Sequence, residues 1–336
     1  MHSLSRIPEV ISADPKGKTR VLLDSNAWRY VVDAQAQGRL LRAASGPAFR
    51  LQIAPAILYE ALRMSDPGVK GKLVRLMTNP RFQRLMTEAY AESMEMLLAF
   101  EVLLPSWFRD KSDLSFFHRL RKDWSRKTGG FWVRCAENPD LEMNRINALG
   151  DRYVLEAARA QYEDARKQMH EANLKSVPNL SEVVARPTMH VPGWDGSSVA
   201  VWRIETYVAI SFALRRHGDA YRDWIGPFVE LDQGLIAGEA WGRFWMHSVS
   251  EKMVPRQWLR WAHSFQQRFR KVTTGSPGDT QLFSYLVETD VIVTADRVLI
   301  DMLEECRPYS PVALPTGKLI RAGRDGVEDL FSFLND

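Results

Sequence analysis

Pro277-Gly278-Asp279-Thr280, followed after one helix-length by Val291-Ile292-Val293-Thr294-Ala295-Asp296, is answered at the other end of the chain by Val21-Leu22-Leu23-Asp24-Ser25-Asn26. Val291–Thr294 and Val21–Leu23 are apolar runs of β type, and each leads to an aspartate. A carboxylate just past the C-terminal end of a strand sits on the rim of an α/β sheet, where such folds place their ligand sites. Two such aspartates, so far apart in sequence, predict one site assembled from both ends of the chain.

The flanking segments extend this pattern. Thr19 to Leu23 reads as a buried strand and Ala27 to Leu41 as the helix after it. Phe49 to Ala54 is a second β-like run, and Pro55 suits the first turn of a helix that continues until Asp66-Pro67-Gly68 breaks it. Towards the C-terminus, Gly278-Asp279-Thr280 opens a helix reaching about Val287. Val291 to Thr294 follows as a strand, Arg297 to Glu305 as a helix, and Val312-Ala313-Leu314 as a last strand. Strands alternating with helices predict an α/β fold with a mainly parallel sheet.

The middle differs. From about Val69 to Arg270 the apolar spacing is mostly helical, as in Met86 to Leu104, Leu141 to Ala172 and Val199 to Leu214, with a loop over Ser176 to Ser198. Of the 11 tryptophans, all but Trp28 fall here, which calls for a core of its own. The predicted organisation is a discontinuous α/β domain, residues 1–66 and 272–336, interrupted by an all-α insertion over 67–271.

Composition bounds the function. A chain that is 45% hydrophobic and 26% charged is globular, and no apolar run approaches the length of a bilayer span. Met1 to Arg20 lacks the apolar segment of a secretory signal, and Cys135 and Cys306 form neither a disulfide framework nor a metal-spacing cluster. A reducing cytoplasm is the expected location. A net charge of +4 mildly favours a polyanionic partner. His118, His170, His190, His217, His247 and His263 have no zinc-like spacing, and the absence of a GxxxxGK[ST] loop argues against a nucleotide-driven motor.

Four acids stand at matching places: Asp24 after the first strand, Glu60 in the second helix, Asp279 at a helix start, and Asp296 after the later strand. Hard divalent cations prefer oxygen ligands and relieve the repulsion among crowded carboxylates. Any one of these acids could instead cap a helix or sit in a turn; the set of four in this order points to metal binding. Asp33, Asp290 and Asp301 read as surface or supporting residues.

At Leu23-Asp24-Ser25-Asn26, Ile57-Leu58-Tyr59-Glu60, Gly278-Asp279-Thr280-Gln281 and Val293-Thr294-Ala295-Asp296 the chain resembles the PIN-domain ribonuclease family. The resemblance covers roughly residues 19–66 and 272–336. It implies a central parallel sheet flanked by helices, a Mg²⁺- or Mn²⁺-dependent phosphodiesterase, and hydrolysis leaving a 5′-phosphate and a 3′-hydroxyl. Asp24, Glu60, Asp279 and Asp296 match the family's metal-binding acids, while Asn26 and Thr294 match its small polar supporting positions. The insertion between the second and third acids departs from the compact toxin nucleases of the family, so their substrates do not carry over.

Within the insertion, two segments interleave cations with aromatics: Trp107 to Lys127, and Arg256-Gln257-Trp258-Leu259-Arg260-Trp261 continuing to Arg268-Phe269-Arg270-Lys271. Cations neutralise phosphates and aromatic faces stack unpaired bases, although aromatics at helical spacing are ordinarily core. The second segment runs directly towards Asp279, which makes Arg256, Arg260, Arg268 and Arg270 the expected substrate-gripping residues. The expected activity is that of an endoribonuclease, with RNA favoured over DNA. A DNA or structure-specific nuclease and a catalytically inactive nucleic-acid-binding scaffold are the competing readings. Homo-oligomerisation and a protein inhibitor stay open.

Overall fold

The computed structural model describes residues 17–126, 128–148, 151–171, 177–271 and 276–335. Five parallel strands form the main sheet: β1 (Thr19–Leu23), β2 (Phe49–Ile53), β3 (Gln83–Arg84), β4 (Val291–Thr294) and β5 (Thr316–Leu319), in the order β3-β2-β1-β4-β5. The helices that matter below are α1 (Ser25–Asp33), α2 (Pro55–Leu62), α3 (Glu88–Leu103), α4 (Leu114–Ser125), α5 (Pro255–Gln267), α6 (Ser276–Tyr285) and α7 (Arg297–Cys306). The α/β fold with a parallel sheet is therefore present. No helix among the described residues is long and apolar enough to cross a membrane.

The two ends of the chain meet at the centre of the sheet. Leu23 pairs with Val293 on one side of β1, and Val21 pairs with Leu51 on the other. Val21, Leu22 and Leu23 are fully buried. A central parallel strand is covered on both faces, which is why this run does not alternate with polar residues. Each of these side chains contributes roughly 1.5–3 kcal/mol by leaving water. Outside the ladder, Arg20 clasps Asp290 through two side-chain hydrogen bonds of 3.1 and 2.6 Å. Buried Gln52 ties β2 to the backbone of Glu288 and accepts from Thr289.

From β1 the chain moves outward to β2 and β3; from β4 it moves the opposite way to β5. Parallel crossovers are right-handed, so the helices following β1 and the helix following β4 cover opposite faces of the sheet. The crevice between the C-terminal ends of β1 and β4, where the direction reverses, is the position at which open α/β sheets bind ligands.

Four local features differ from the sequence reading. The helix expected over Ala27 to Leu41 is two helices, Ser25–Asp33 and Gln37–Ala44, separated where Gln35 adopts φ 56°. The last strand is Thr316–Leu319 and not Val312-Ala313-Leu314. That apolar triplet lies between Pro311 and Pro315, residues with no N–H to donate to a ladder. The actual strand carries Gly317, where a Cβ would fall 2.6 Å from Ile300 Cδ1, so only glycine lets α7 lie this close. Finally, β3 falls beyond residue 66, so the sheet takes a strand from the segment assigned to the insertion, and the loop over Ser176 to Ser198 contains Val184–Ala185, paired antiparallel with Val199–Ala200.

The segment from 67 to 271 is mainly helical among its described residues. Its tryptophans Trp132, Trp241 and Trp245 are fully buried, in one core continuous with Trp28 and the sheet. Trp28 itself fixes the exit of β1. Its indole N–H donates to Leu23 O at 3.1 Å, and its ring meets Phe82 edge-on at 4.9 Å.

Candidate acidic site at the strand ends

Asp24 follows β1 directly and is buried. Its backbone N–H continues the ladder by donating to Val293 O at 3.0 Å, so the residue is placed by sheet pairing. One carboxylate oxygen caps α1 by accepting from Ala27 N at 2.8 Å; the other accepts the Thr294 hydroxyl. Thr294, fully buried at the end of β4, in turn accepts from Asp296 N at 2.9 Å. Asp296 caps α7 by accepting from Val298 N at 2.7 Å. Both aspartates thus perform the capping role, and Thr294 joins them across the crevice. Helix N-termini at this edge present unpaired N–H groups and favour negative charge.

Glu60 comes from α2 and Asp279 from the first turn of α6. The α6 backbone lies against Glu60: a Cβ on Gly278 would fall 2.2 Å from Glu60 Oε1. Asp24 and Asp279 each feel the charges of the other acids. Burial pushes Asp24 up to about 6, against the bonds from Thr294 and Ala27 and with help from the charges of Glu60 and Asp296. Burial also raises Asp279 well above the usual carboxylate range, and Glu60, Asp296 and Asp24 add to it. Glu60 is raised by burial, opposed by a hydrogen bond from Ser25 and by the charge of Arg63.

This electrostatic crowding has a measurable consequence. Asp24 ionises near pH 4 in the unfolded chain and near 6 in the fold, so between those values the folded state holds the extra proton. The Asp24 contribution to the stability of the metal-free chain should therefore fall by ~3 kcal/mol as pH rises from about 4 to about 6. Urea midpoints across this range in chelator check it, and Asp24→Asn should flatten that part of the profile.

The donor set, four carboxylates and hydroxyl oxygens, suits a hard divalent cation. Among the described residues, however, no three His, Cys, Asp or Glu side chains are drawn together closely enough to hold a metal ion. Asp24 and Asp296 direct oxygens at backbone N–H groups. Each carboxylate oxygen retains a lone pair for a further ligand.

Of the supporting residues, Thr294 is at the centre of the site, while Asn26 points to solvent. Its neighbour Ser25 makes the bond to Glu60, a role the sequence left unmarked although Ser25 stands inside the quoted motif. A clamp behind α6 was equally hidden. Thr280, next to Asp279, contacts His263 Nδ1 at 2.8 Å and the Tyr162 hydroxyl at 2.9 Å. His263 is fully buried and pushed down to about 3, so it stays neutral. Glu88 of α3 accepts from Gln281 and Tyr285, one helical turn apart on α6. No local signal links residues so distant in sequence.

The arginine row needs correction. Arg256 is buried, with Nε 2.9 Å from Glu95 Oε1 and its terminal nitrogens 2.5 Å from Glu288 Oε1 and Ser284 O. Arg260 pairs with fully buried Glu92 at 2.8 Å, Arg268 with Glu205 at 2.5 Å, and Arg270 with Glu305 at 2.6 Å. Arg256 and Arg260 are neutralised against buried acids and brace α5, while Arg268 and Arg270, just past α5, pair with acids nearer the surface; the four do not form a free basic face. Cys135 and Cys306 are buried free thiols whose burial raises them away from reactivity, Cys306 to about 12.

A scan against protein-family models finds no match to this chain, and searches of curated proteins and of solved structures find no significant match either.

Proposed function

We propose that the chain is a Mg²⁺- or Mn²⁺-dependent nuclease that hydrolyses RNA, with a PIN-like catalytic half. One observation carries the reading: Asp24, Glu60, Asp279 and Asp296 come from opposite ends of the sequence to the crevice between β1 and β4, where each raises or feels the charge of the others. The four motifs that resemble PIN-domain ribonucleases fall on these same residues.

In this reading Asp24, Asp279 and Asp296 would hold the cation, which when bound supplies charge stabilisation at a scissile phosphate and an acidified water. Asp24 is oriented by Ala27 N and Thr294, so its carboxylate keeps one rotamer as substrate enters. Glu60, steadied by Ser25 and raised by burial, is the group suited to orient the attacking water and take its proton. The Thr280–His263–Tyr162 contacts and the Glu88 bonds hold α6, and with it Asp279, in register.

The deciding experiment incubates the purified chain with labelled RNA and DNA panels in Mn²⁺, Mg²⁺ or chelator. Cation-dependent RNA cleavage supports the reading; cleavage of DNA alone transfers the same site to a DNA nuclease. Binding without cleavage under every condition selects the inactive scaffold, the reading favoured by the spread of the carboxylates. A finer probe is Gly278→Ala. The added methyl displaces the Glu60 carboxylate, and misplacement of about 1 Å costs up to ~100-fold in rate. Cleavage should fall to that extent while the unfolding midpoint changes little; unchanged kcat would remove Glu60 from the machinery.

A further inference from the structure

The other cation-bearing segment of the insertion behaves differently from the arginine row. Helix α4 buries Phe117 and half-buries Leu120, Arg121 and Trp124. Its opposite side exposes Ser115, His118, Arg119, Lys122 and Arg126, a stripe at three- and four-residue spacing. Asp123, the one acid within the helix, is taken from behind by Arg134 through bonds of 2.7 and 2.9 Å. Arg126 lies 3.5 Å from Asp123 and is 40% exposed. Among the described residues neither Arg119 nor Lys122 has an ion-pair partner; Arg119 rests over the Phe116 ring at 5.0 Å. Cations near a helix C-terminus also gain from the helix dipole, but that effect is confined to the last turn and does not reach Arg119.

The stripe points somewhere. Beyond α4, Gly129 and Gly130 adopt φ 59° and 108°, reversing the chain so tightly that a Cβ on Gly130 would fall 2.5 Å from Asp123 O. That turn brings Phe131 onto Trp124 at 4.2 Å, and Phe131 meets Tyr59 edge-on at 5.7 Å. Tyr59 precedes Glu60. The cationic helix therefore ends against α2, the helix that brings Glu60 to the rim, with the Arg63 guanidinium over the Tyr59 ring at 5.8 Å.

We propose that the Ser115–Arg126 face of α4 is the track along which single-stranded RNA reaches the acidic rim, with Arg119 and Lys122 meeting its phosphates. This rests on the nuclease reading for its substrate. It commits to a polyanion because Arg119 and Lys122, exposed and without an ion-pair partner among the described residues, attract phosphates, and to a single strand because a narrow stripe leading to one carboxylate cluster accommodates one backbone.

The test uses full-length protein in chelator, so that binding is read without cleavage. A fluorescein-labelled mixed-sequence single-stranded RNA is titrated by anisotropy at several salt concentrations against the parent and an Arg119→Gln/Lys122→Gln double variant. Each lost contact lowers the salt slope by ~0.7 for a single strand, so the double variant should lose about 1.4 units of slope and bind about 25-fold more weakly at 0.1 M salt. An Arg268→Gln/Arg270→Gln chain whose circular dichroism matches the parent should keep the full slope. Equal affinity and slope in parent and α4 variant, or no RNA binding by the parent, overturns the track; an acidic protein partner would produce that first outcome. Cleavage with Mn²⁺ is assayed separately. Slope loss without any cleavage sustains the track and sinks the nuclease, and cleavage with an unchanged slope does the reverse.

Discussion

An Asp24→Asn chain should lose at least ~10³ in cleavage rate while remaining folded. Replacing the carboxylate by an amide keeps its shape and its cap, since asparagine also accepts from Ala27 N. The Thr294 hydroxyl, which now donates to the carboxylate, can rotate to accept from the amide while continuing to receive Asp296 N. What disappears is one negative charge in the proposed cation site, and losing about 4 kcal/mol of transition-state stabilisation corresponds to the stated factor. In chelator at neutral pH the variant should unfold no earlier than the parent, because burial works against the native carboxylate. Asp296→Asn should behave alike. Full activity in a rigorously purified Asp24→Asn preparation would dissolve the site assignment, whereas inactivity accompanied by early unfolding would show the residue to be structural.

The second large effect is one of stability. Arg256→Leu should destabilise the fold by ~3–5 kcal/mol, since breaking a buried pair leaves its partner charges uncompensated. Here the partners are Glu95 and Glu288, together with the Ser284 carbonyl. Glu95 already stands up to about 8 through burial, with Arg256 opposing that rise, so without the arginine it takes up a proton and limits the loss to that range. Guanidinium denaturation midpoints measure it. The exposed α4 double variant should shift stability by no more than ~0.5 kcal/mol, the usual range for surface changes. A wild-type midpoint for Arg256→Leu would mean that α5 is not braced through this residue.

The contrast between these arginines and those of α4 marks where sequence reading fails. Both segments interleave cations with aromatics, and nothing local distinguishes Arg256 from Arg119. The distinction lies in Glu92 and Glu95, more than 160 positions upstream, whose burial against α5 is a property of tertiary packing. The acids of the rim were legible for the opposite reason. A β-type run, its terminal aspartate and the cap on the next helix are all neighbours in sequence, so Asp24 and Asp296 announce their own position. β5 was missed because an edge strand buries little: Thr316 and Lys318 face solvent, and the apolar triplet upstream looked the better strand. The clamp of Thr280 by His263 and Tyr162 joins residues 17 and 118 positions apart, a distance over which composition carries no message.

The pairing of β1 with β4 also governs when the site comes into being. Arg20 within β1 and Asp290 just before β4 are 270 residues apart in sequence, yet they bond side by side. At ribosomal rates of roughly 5–20 residues per second, the first strand waits about 15–55 seconds for its partner. Throughout that interval β2 can protect one edge of β1 while the other stays open, and Asp24 and Glu60 have neither Asp279 nor Asp296 beside them. A nascent chain therefore lacks the assembled acidic rim until the segment bearing Asp279 and Asp296 has been made and β4 has paired with β1.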